Sequence, residues 1–318
     1  AGIADVQIGE TITDPADPKA LPVIAIEEPT VKMNFSVNTS PFSGKEGQYS
    51  TSRNIKERLE RELMTDVALR VAPGQSAETY VVSGRGELHL EILIEKMRRE
   101  GYELQVSRPQ VIMHEEGGKK TEPFEQVFIE CPETAAGIVI EKMGKRKGGM
   151  KDMKVDPSTS SGQATAYLEF EIPTRGLIGY RAEFLTDTKG LGIINTLFLG
   201  YRPWVGGFEA APHGSLIAFE DGTAVGYGLA AAQERGQMFI APGVEVYRGM
   251  VVGQNAKPED LEVNVAKEKR LSNMRSKGDG VGIQLDTPRD MSLEDALEYL
   301  GDDELLEVTP LSLRLRKT

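Results

Sequence analysis

The residues Thr79-Tyr80-Val81-Val82-Ser83-Gly84-Arg85-Gly86-Glu87-Leu88-His89-Leu90-Glu91-Ile92-Leu93-Ile94-Glu95-Lys96-Met97 decide the fold. Thr79 to Ser83 is rich in β-branched and aromatic side chains, and Gly84-Arg85-Gly86 interrupts it. Beyond the glycines, Leu90, Leu93, Ile94 and Met97 recur at helical spacing, so a strand feeds into an amphipathic helix. Working upstream, Val67 to Val71 forms a second strand across the Pro73-Gly74 turn. Before it, Ile55, Leu59 and Leu63 fall at i, i+4 and i+8 between Arg53 and Asp66, one apolar stripe on a charged helix. Earlier still, Val31, Met33, Phe35 and Val37 alternate with Lys32, Asn34, Ser36 and Asn38, the period of a half-buried strand. Downstream, Gly101 ends the helix and Tyr102 to Val106 alternates again. The order β-α-β-β-α-β is the split βαβ arrangement, an antiparallel sheet carrying both helices on one face.

The order then repeats. Phe124 to Glu130 reads as a strand and Glu133 to Lys147 as a helix with Ala135, Ile138, Val139 and Met143 inward. Met150 to Val155 and Ala166 to Ile172 read as strands around a turn at 158–162, followed by a helix from Ile178 to Asp187 and a strand from Ile193 to Leu199. Past Tyr201-Arg202-Pro203-Trp204 the pattern changes to glycine-punctuated strands, among them Ser215 to Phe219, Ala224 to Leu229 and Val244 to Val252. One helix is expected there, opened by a Ser292/Asp295 capping box, faced by Leu293, Ala296, Leu297 and Leu300, and stopped by Gly301. Leu305 to Val308 and Leu311 to Leu315 close the chain as strands. The reading is an α+β chain of two tandem ferredoxin-like βαββαβ domains, 23–112 and 113–202, followed by a mainly β C-terminal domain, 203–318. Residues 1–22 read as a strand, Ile3 to Ile12, without an upstream partner, and then a triple-proline linker, which suggests the tail of a preceding domain.

Composition narrows the function. The 318 residues carry 37 Lys and Arg against 49 Asp and Glu, a net charge of −12, which excludes a uniformly basic nucleic-acid binder but not local basic patches. Cys131 is the only cysteine, and His89, His114 and His213 the only histidines, so neither a disulfide framework nor a Cys/His zinc site can be assembled within the chain. No apolar run approaches the roughly 18 residues of a membrane span, and no signal peptide opens the chain. A cytoplasmic protein without membrane contact is expected.

Catalytic motifs are scarce. A phosphate loop needs Gly-x-x-x-x-Gly-Lys-Ser/Thr, because backbone amides cradle the phosphates while lysine and hydroxyl hold the terminal phosphate and magnesium. Gly44-Lys45, Gly118-Lys119 and Gly144-Lys145 lack the upstream glycine and the hydroxyl. Asp187-Thr188-Lys189-Gly190 is too short a match to carry nucleotide chemistry. Gly226-Tyr227-Gly228-Leu229-Ala230-Ala231 resembles a dinucleotide fingerprint, but Gly236 interrupts the helix it needs, and a strand or tight corner explains its glycines. His89 reads as a structural helix residue, and His114 and His213 as exposed turn residues. The chain as given is expected not to be an enzyme.

Positive charge concentrates in two places. Lys142, Lys145, Arg146, Lys147, Lys151 and Lys154 are opposed in their stretch only by Asp152, and they run on through Gly148-Gly149 into the next strand, a placement suited to RNA phosphates. Between Asn264 and Gly278, Lys267, Lys269, Arg270, Arg275 and Lys277 accompany Asn264, Asn273 and Ser276, whose amides and hydroxyl suit sugars and base edges. This second stretch reads as a long RNA-binding loop that orders on its target. Glu294 to Glu307, with seven acids and no base, reads as a solvated face.

Asn38-Thr39-Ser40-Pro41-Phe42-Ser43-Gly44-Lys45-Glu46-Gly47 and Ser83-Gly84-Arg85-Gly86-Glu87-Leu88-His89-Leu90 resemble the C-terminal half of a translational GTPase, elongation factor G and its relatives. Val111-Ile112-Met113 runs almost directly into Thr121-Glu122-Pro123-Phe124, leaving no room for the extra domain of elongation factor G. The segments Asp260 to Val265 and Lys269 to Arg275 are similar to the BipA/TypA branch. The resemblance implies domains like III and V of elongation factor G, then a family-specific C-terminal domain. It further implies a monomer that binds the A-site region of the bacterial 70S ribosome, through ribosomal RNA and A-site tRNA, with links to stress adaptation, virulence regulation and large-subunit assembly. GTP and magnesium would belong to an upstream G domain, with no cofactor in this chain. The competing expectation is a regulatory module that binds a small ligand or protein partner and no RNA.

Overall fold

The computed structural model describes residues 10–22, 28–157, 164–207, 214–268 and 284–318. The first unit consists of β1 (Val31–Ser36), α1 (Ser52–Leu63), β2 (Arg70–Pro73), β3 (Thr79–Gly84), α2 (Glu87–Arg99) and β4 (Leu104–Ser107). Helix α1 starts where Thr51 accepts the Asn54 N–H and Asn54 answers on the Thr51 N–H, a reciprocal cap that satisfies two orphan donors. Ile55 and Leu59 face inward beside Leu90, Leu93, Ile94 and Met97 of α2, while Leu63 is only half-buried. Arg58, buried on the same helix, places a two-pronged hydrogen bond on Glu100, at 2.6 and 2.8 Å, and a third on Glu62. The sheet order β4-β1-β3-β2, antiparallel throughout, is that of the expected ferredoxin-like unit.

After short strands β5 (Gln110–Val111) and β6 (His114–Glu116), the second unit repeats the plan. Its elements are β7 (Lys119–Pro132), α3 (Glu133–Lys145), β8 (Gly149–Asp156), β9 (Thr165–Pro173), α4 (Tyr180–Asp187) and β10 (Ile193–Pro203), in the order β10-β7-β9-β8. Val127, Ile129, Cys131, Val139, Met143, Leu168, Phe170, Tyr180 and Phe184 fill its core. Ile138, expected on the inner face of α3, lies outside that core and is exposed. His114 is not in an exposed turn: it sits in β6, with its ring stacked 3.8 Å from that of Tyr201. His89 does serve the framework, its Nε2 lying 2.5 Å from Asp66 Oδ2.

The third unit contains β11 (Ser215–Ala218), β12 (Gly222–Thr223), α5 (Gly226–Gln233), β13 (Gly236–Met238), β14 (Glu245–Val246), β15 (Met250–Asn255), β16 (Leu261–Val263), α6 (Leu293–Tyr299), β17 (Glu304–Val308) and β18 (Leu313–Lys317). Among the described residues two helices are present here where one is expected, because Gly226 to Gln233 coils where Ala224 to Leu229 reads as a strand. The glycine explains the difference: a Cβ on Gly228 would lie 2.3 Å from the Val265 carbonyl oxygen, so α5 packs directly on that backbone. Helix α6 starts at the expected Ser292/Asp295 box, but it ends with Leu300 turning extended and not with a left-handed Gly301.

Sequence periodicity gave no sign of how the first and third units join. Strand β17 pairs antiparallel with β4, Leu306 opposite Val106, so one sheet runs β16-β11-β15-β18-β17-β4-β1-β3-β2. Leu306, Val308, Leu315, Ala296 and Leu297 share a core with Phe35, Leu90 and Val106. The acidic run is correspondingly not a solvated face. Glu304 and Glu307 are buried: Glu307 accepts from Asn38, Tyr247 and Arg314 at 2.9 to 3.0 Å, and Glu304 accepts from Ser215 while pairing with Lys317. The opening strand expected at Ile3 to Ile12 falls mostly outside the described residues, as do the turn at 158–162 and His213.

Candidate nucleic-acid interface

Helix α3 ends in a tight turn that hands the chain to β8, and this turn organises the first basic cluster. The Lys147 N–H bonds the Gly144 carbonyl and the Gly148 N–H bonds the Met143 carbonyl, closing the helix with Lys147 in the left-handed region at φ +67°. A glycine would occupy that position without steric cost, so an exposed lysine held there is conformationally unfavourable. Strand β8 then forms the outer edge of its sheet, with all eight residues exposed.

The six cations divide by role. Lys142 reaches Glu183 and Asp187, both at 2.7 Å, tying α3 to α4. Burial works against its charge, but the two carboxylates prevail and hold its ammonium above the ordinary lysine range. Arg146 bonds the carbonyls of Gly176 and Ile178 at 3.1 and 3.0 Å and Glu183 at 3.0 Å, with its guanidinium over the Tyr180 ring. These two side chains are mostly covered and brace the turn. Lys145, Lys147, Lys151 and Lys154 point outward. Lys145 meets Glu141 at 2.7 Å, Lys151 meets Glu171 at 2.6 Å and Lys154 meets Asp152 at 2.9 Å. Arg202, which the sequence reading did not single out, joins from β10 at 2.8 Å on Glu171. Hydrogen bonds from Arg202 and Lys151 pull the Glu171 carboxyl down to about 2. Six of these seven cations pair with Glu141, Asp152, Glu171, Glu183 or Asp187, so four carboxylates besides Asp152 oppose the cluster in the fold. Exposed ion pairs contribute little to stability, so a polyanion can exchange them for phosphate contacts at small cost.

Beside this cluster lies the helix-free face of the second sheet, which the sequence reading also missed. Phe128 on β7, Tyr167 on β9 and Ile193 and Leu197 on β10 are each about half exposed. Alternation placed these positions on a strand, but nothing local distinguishes an uncovered face from a covered one.

In the second cluster, only the stem lies within the described residues. Asn264 Nδ2 donates to Glu220 at 2.6 Å, the buried Val265 carbonyl accepts from the Val225 N–H, and Lys267 is exposed. The stem is thus pinned beside α5. Lys269, Arg270, Asn273, Arg275, Ser276 and Lys277 lie outside the described residues.

Comparison with known proteins relates the chain to a family. Residues 213–318 match the TypA/BipA C-terminal domain, residues 119–209 the elongation factor G C-terminus, and residues 46–108 elongation factor G domain III. The chain is 53% identical over its full length to the large ribosomal subunit assembly factor BipA of Synechocystis, covering 52% of that protein. It is 52% identical to the putative elongation factor TypA-like SVR3, chloroplastic, of Arabidopsis thaliana, over 99% of this chain and 46% of that one. With the Bacillus subtilis large ribosomal subunit assembly factor BipA it shares 50% identity over all of this chain and 51% of that protein. The chain therefore spans about half the length of the curated relatives it matches.

Proposed function

Because the chain belongs to the BipA/TypA family, we propose that it is the ribosome-binding portion of a cytoplasmic translational GTPase of that family, acting in large-subunit assembly. The observation that carries this reading is the match of the whole chain to factors named for large-subunit assembly, joined to four outward lysines on an otherwise acidic protein. In this reading Lys145, Lys147, Lys151 and Lys154 meet ribosomal RNA phosphates, while Lys142 and Arg146 hold the turn that presents them. Asn264 and Lys267, with Lys269, Arg270, Asn273, Arg275, Ser276 and Lys277, engage the acceptor end of an A-site tRNA or adjacent ribosomal RNA of the 70S particle. GTP and magnesium are handled by residues outside this chain, which carries no phosphate-loop string. Stress adaptation and virulence regulation are consequences at the level of the cell.

Cosedimentation of the purified chain with 70S ribosomes across a salt series tests the reading. Binding should weaken steeply as counterions are recaptured, and Lys267→Ala with Lys269→Ala and Arg270→Ala should lower the slope by up to about 0.7 to 0.9 per lost phosphate contact. A second reading, a module that binds a small ligand and no RNA, draws on a cavity of 270 Å³ between the first and second units, lined by Arg85, Glu87, Thr174 and Arg181. Absence of cosedimentation at every salt concentration would favour it. GTP turnover by the chain, free of contaminating enzyme, would contradict the assignment of hydrolysis to residues elsewhere.

A further inference from the structure

Three units meet at one turn. Glu87 and Glu91 stand one helical turn apart on α2 of the first unit, and Glu294 and Glu298 do the same on α6 of the third. Between the two helices the second unit inserts Gly179, at φ +72°, at the start of α4. Glu87 Oε2 accepts the Gly179 N–H at 3.1 Å, and Glu87 Oε1 is buried without a hydrogen-bond partner among the described residues. On the other side, the Glu298 Cγ lies 2.3 Å from where a Gly179 Cβ would sit, so this carboxylate arm packs directly on the turn. Glu91 is buried beside them at 8% exposure. Among the described residues none of Glu87, Glu91 and Glu298 makes an ion pair, unlike Glu304 and Glu307 a few residues away.

The geometry points to a proton-linked latch: the Gly179 turn is clamped between α2 and α6 when the facing carboxyls hold protons, and the clamp loosens as they ionise. Burial is the leading cause for all three groups, because removing a carboxylate from water disfavours its charged form. It pushes Glu87 up to about 7, helped by Glu294 and opposed by the Gly179 N–H, Arg146 and Arg108. Glu91 rises to about 8, with Glu87 and Glu294 adding to burial and Arg181 opposing. Glu298 rises to about 7, with Glu87, Glu183 and Asp295 adding and Arg146 opposing. The clamped state thus binds protons more tightly than a state in which the carboxyls are solvated near their ordinary 4.5. Its advantage is full below that value and is lost as pH rises through about 7 to 8. A cavity between the first and second units is lined by Glu87, Gly86 and Arg181, so the joint borders open space. The inference concerns packing within the chain and does not depend on RNA binding.

The test uses the whole chain, with spin labels on cysteines substituted at the exposed positions Glu60 of α1 and Leu185 of α4; the native Cys131 is buried. Distance distributions are recorded by double electron–electron resonance at pH 5 and pH 8.5. The parent should give one narrow distribution at pH 5 and a broader or longer one at pH 8.5. The Glu87→Gln, Glu298→Gln double variant should keep the narrow distribution at both. A Glu91→Gln variant, read the same way, should retain at least part of that insensitivity if the double variant fails to fold. A parent distribution unchanged between the two pH values overturns the latch. So does broadening in the folded Gln variants equal to that of the parent.

Discussion

The first and second units share one strand order, but their sheets end differently. In the first, β4 acquires β17 as a further neighbour, and Leu306, Val308 and Leu315 extend its core into the third unit. In the second, the corresponding strand β10 borders only β7 among the described residues, β8 is an uncovered edge, and the helix-free face exposes Phe128 and Tyr167. The contrast separates two kinds of information. Strand order follows from local periodicity and short connections, whereas the covering of a sheet depends on pairings about two hundred residues apart in the chain.

The comparison can be broken most sharply at the joined sheet. Leu306→Ala, which opens a cavity in the shared core, should cost about 2 to 5 kcal/mol. Glu307→Ala would leave the buried Tyr247 hydroxyl without its acceptor and would reduce the carboxylate partners of Asn38 to Glu103 and of Arg314 to Glu46, at a cost of about 1 to 3 kcal/mol. Urea denaturation followed by circular dichroism checks both, and losses below about 1 kcal/mol would mean that β17 and β4 do not share a core. Phe128→Ser and Tyr167→Ser, on the uncovered face, should by contrast change stability by no more than about 0.5 kcal/mol in the same assay. A large loss there would show that the face is covered after all.

A smaller effect sharpens the picture of the basic edge. The Glu171 carboxyl is held low by Arg202 and Lys151, so its pairing is intact above the ordinary carboxylate range and fades only as pH falls towards about 2. Lys151→Ala should move the Glu171 midpoint, followed by carboxyl-carbon NMR, upward towards the ordinary value of 4.5 while leaving the fold unchanged. No movement would mean that Arg202 alone holds the carboxylate.

Both βαββαβ units were legible because each element carries its own signal: alternation at Val31 to Val37, helical spacing at Leu90 to Met97, and glycine punctuation between them. The join between β4 and β17 has no local signature. Helix α5 was misread because Gly226 and Gly228 look like strand punctuation until the Val265 backbone beneath them is known. The acidic run carries its own sign of pairing. Pairing the last two strands as a hairpin sets Glu307 opposite Arg314 and Glu304 opposite Lys317, which predicts ion pairs and not a solvated face. Among the candidate binding residues, charge alone found the first cluster. Only geometry separated the bracing Lys142 and Arg146 from the outward lysines, because bracing depends on Glu183 and the Gly176 to Ile178 carbonyls in a later helix and turn.

The outward lysines of α3, of β8 and of the turn between them are proposed to bind ribosomal RNA. Replacing Lys145, Lys147, Lys151 and Lys154 together by alanine, and measuring ribosome affinity against salt for this variant and the parent, tests this directly. Binding should weaken and the slope should fall by up to about 2.8 to 3.6, four contacts at about 0.7 to 0.9 each, with unfolding unchanged. Parent-like affinity and slope in the folded variant would contradict the assignment.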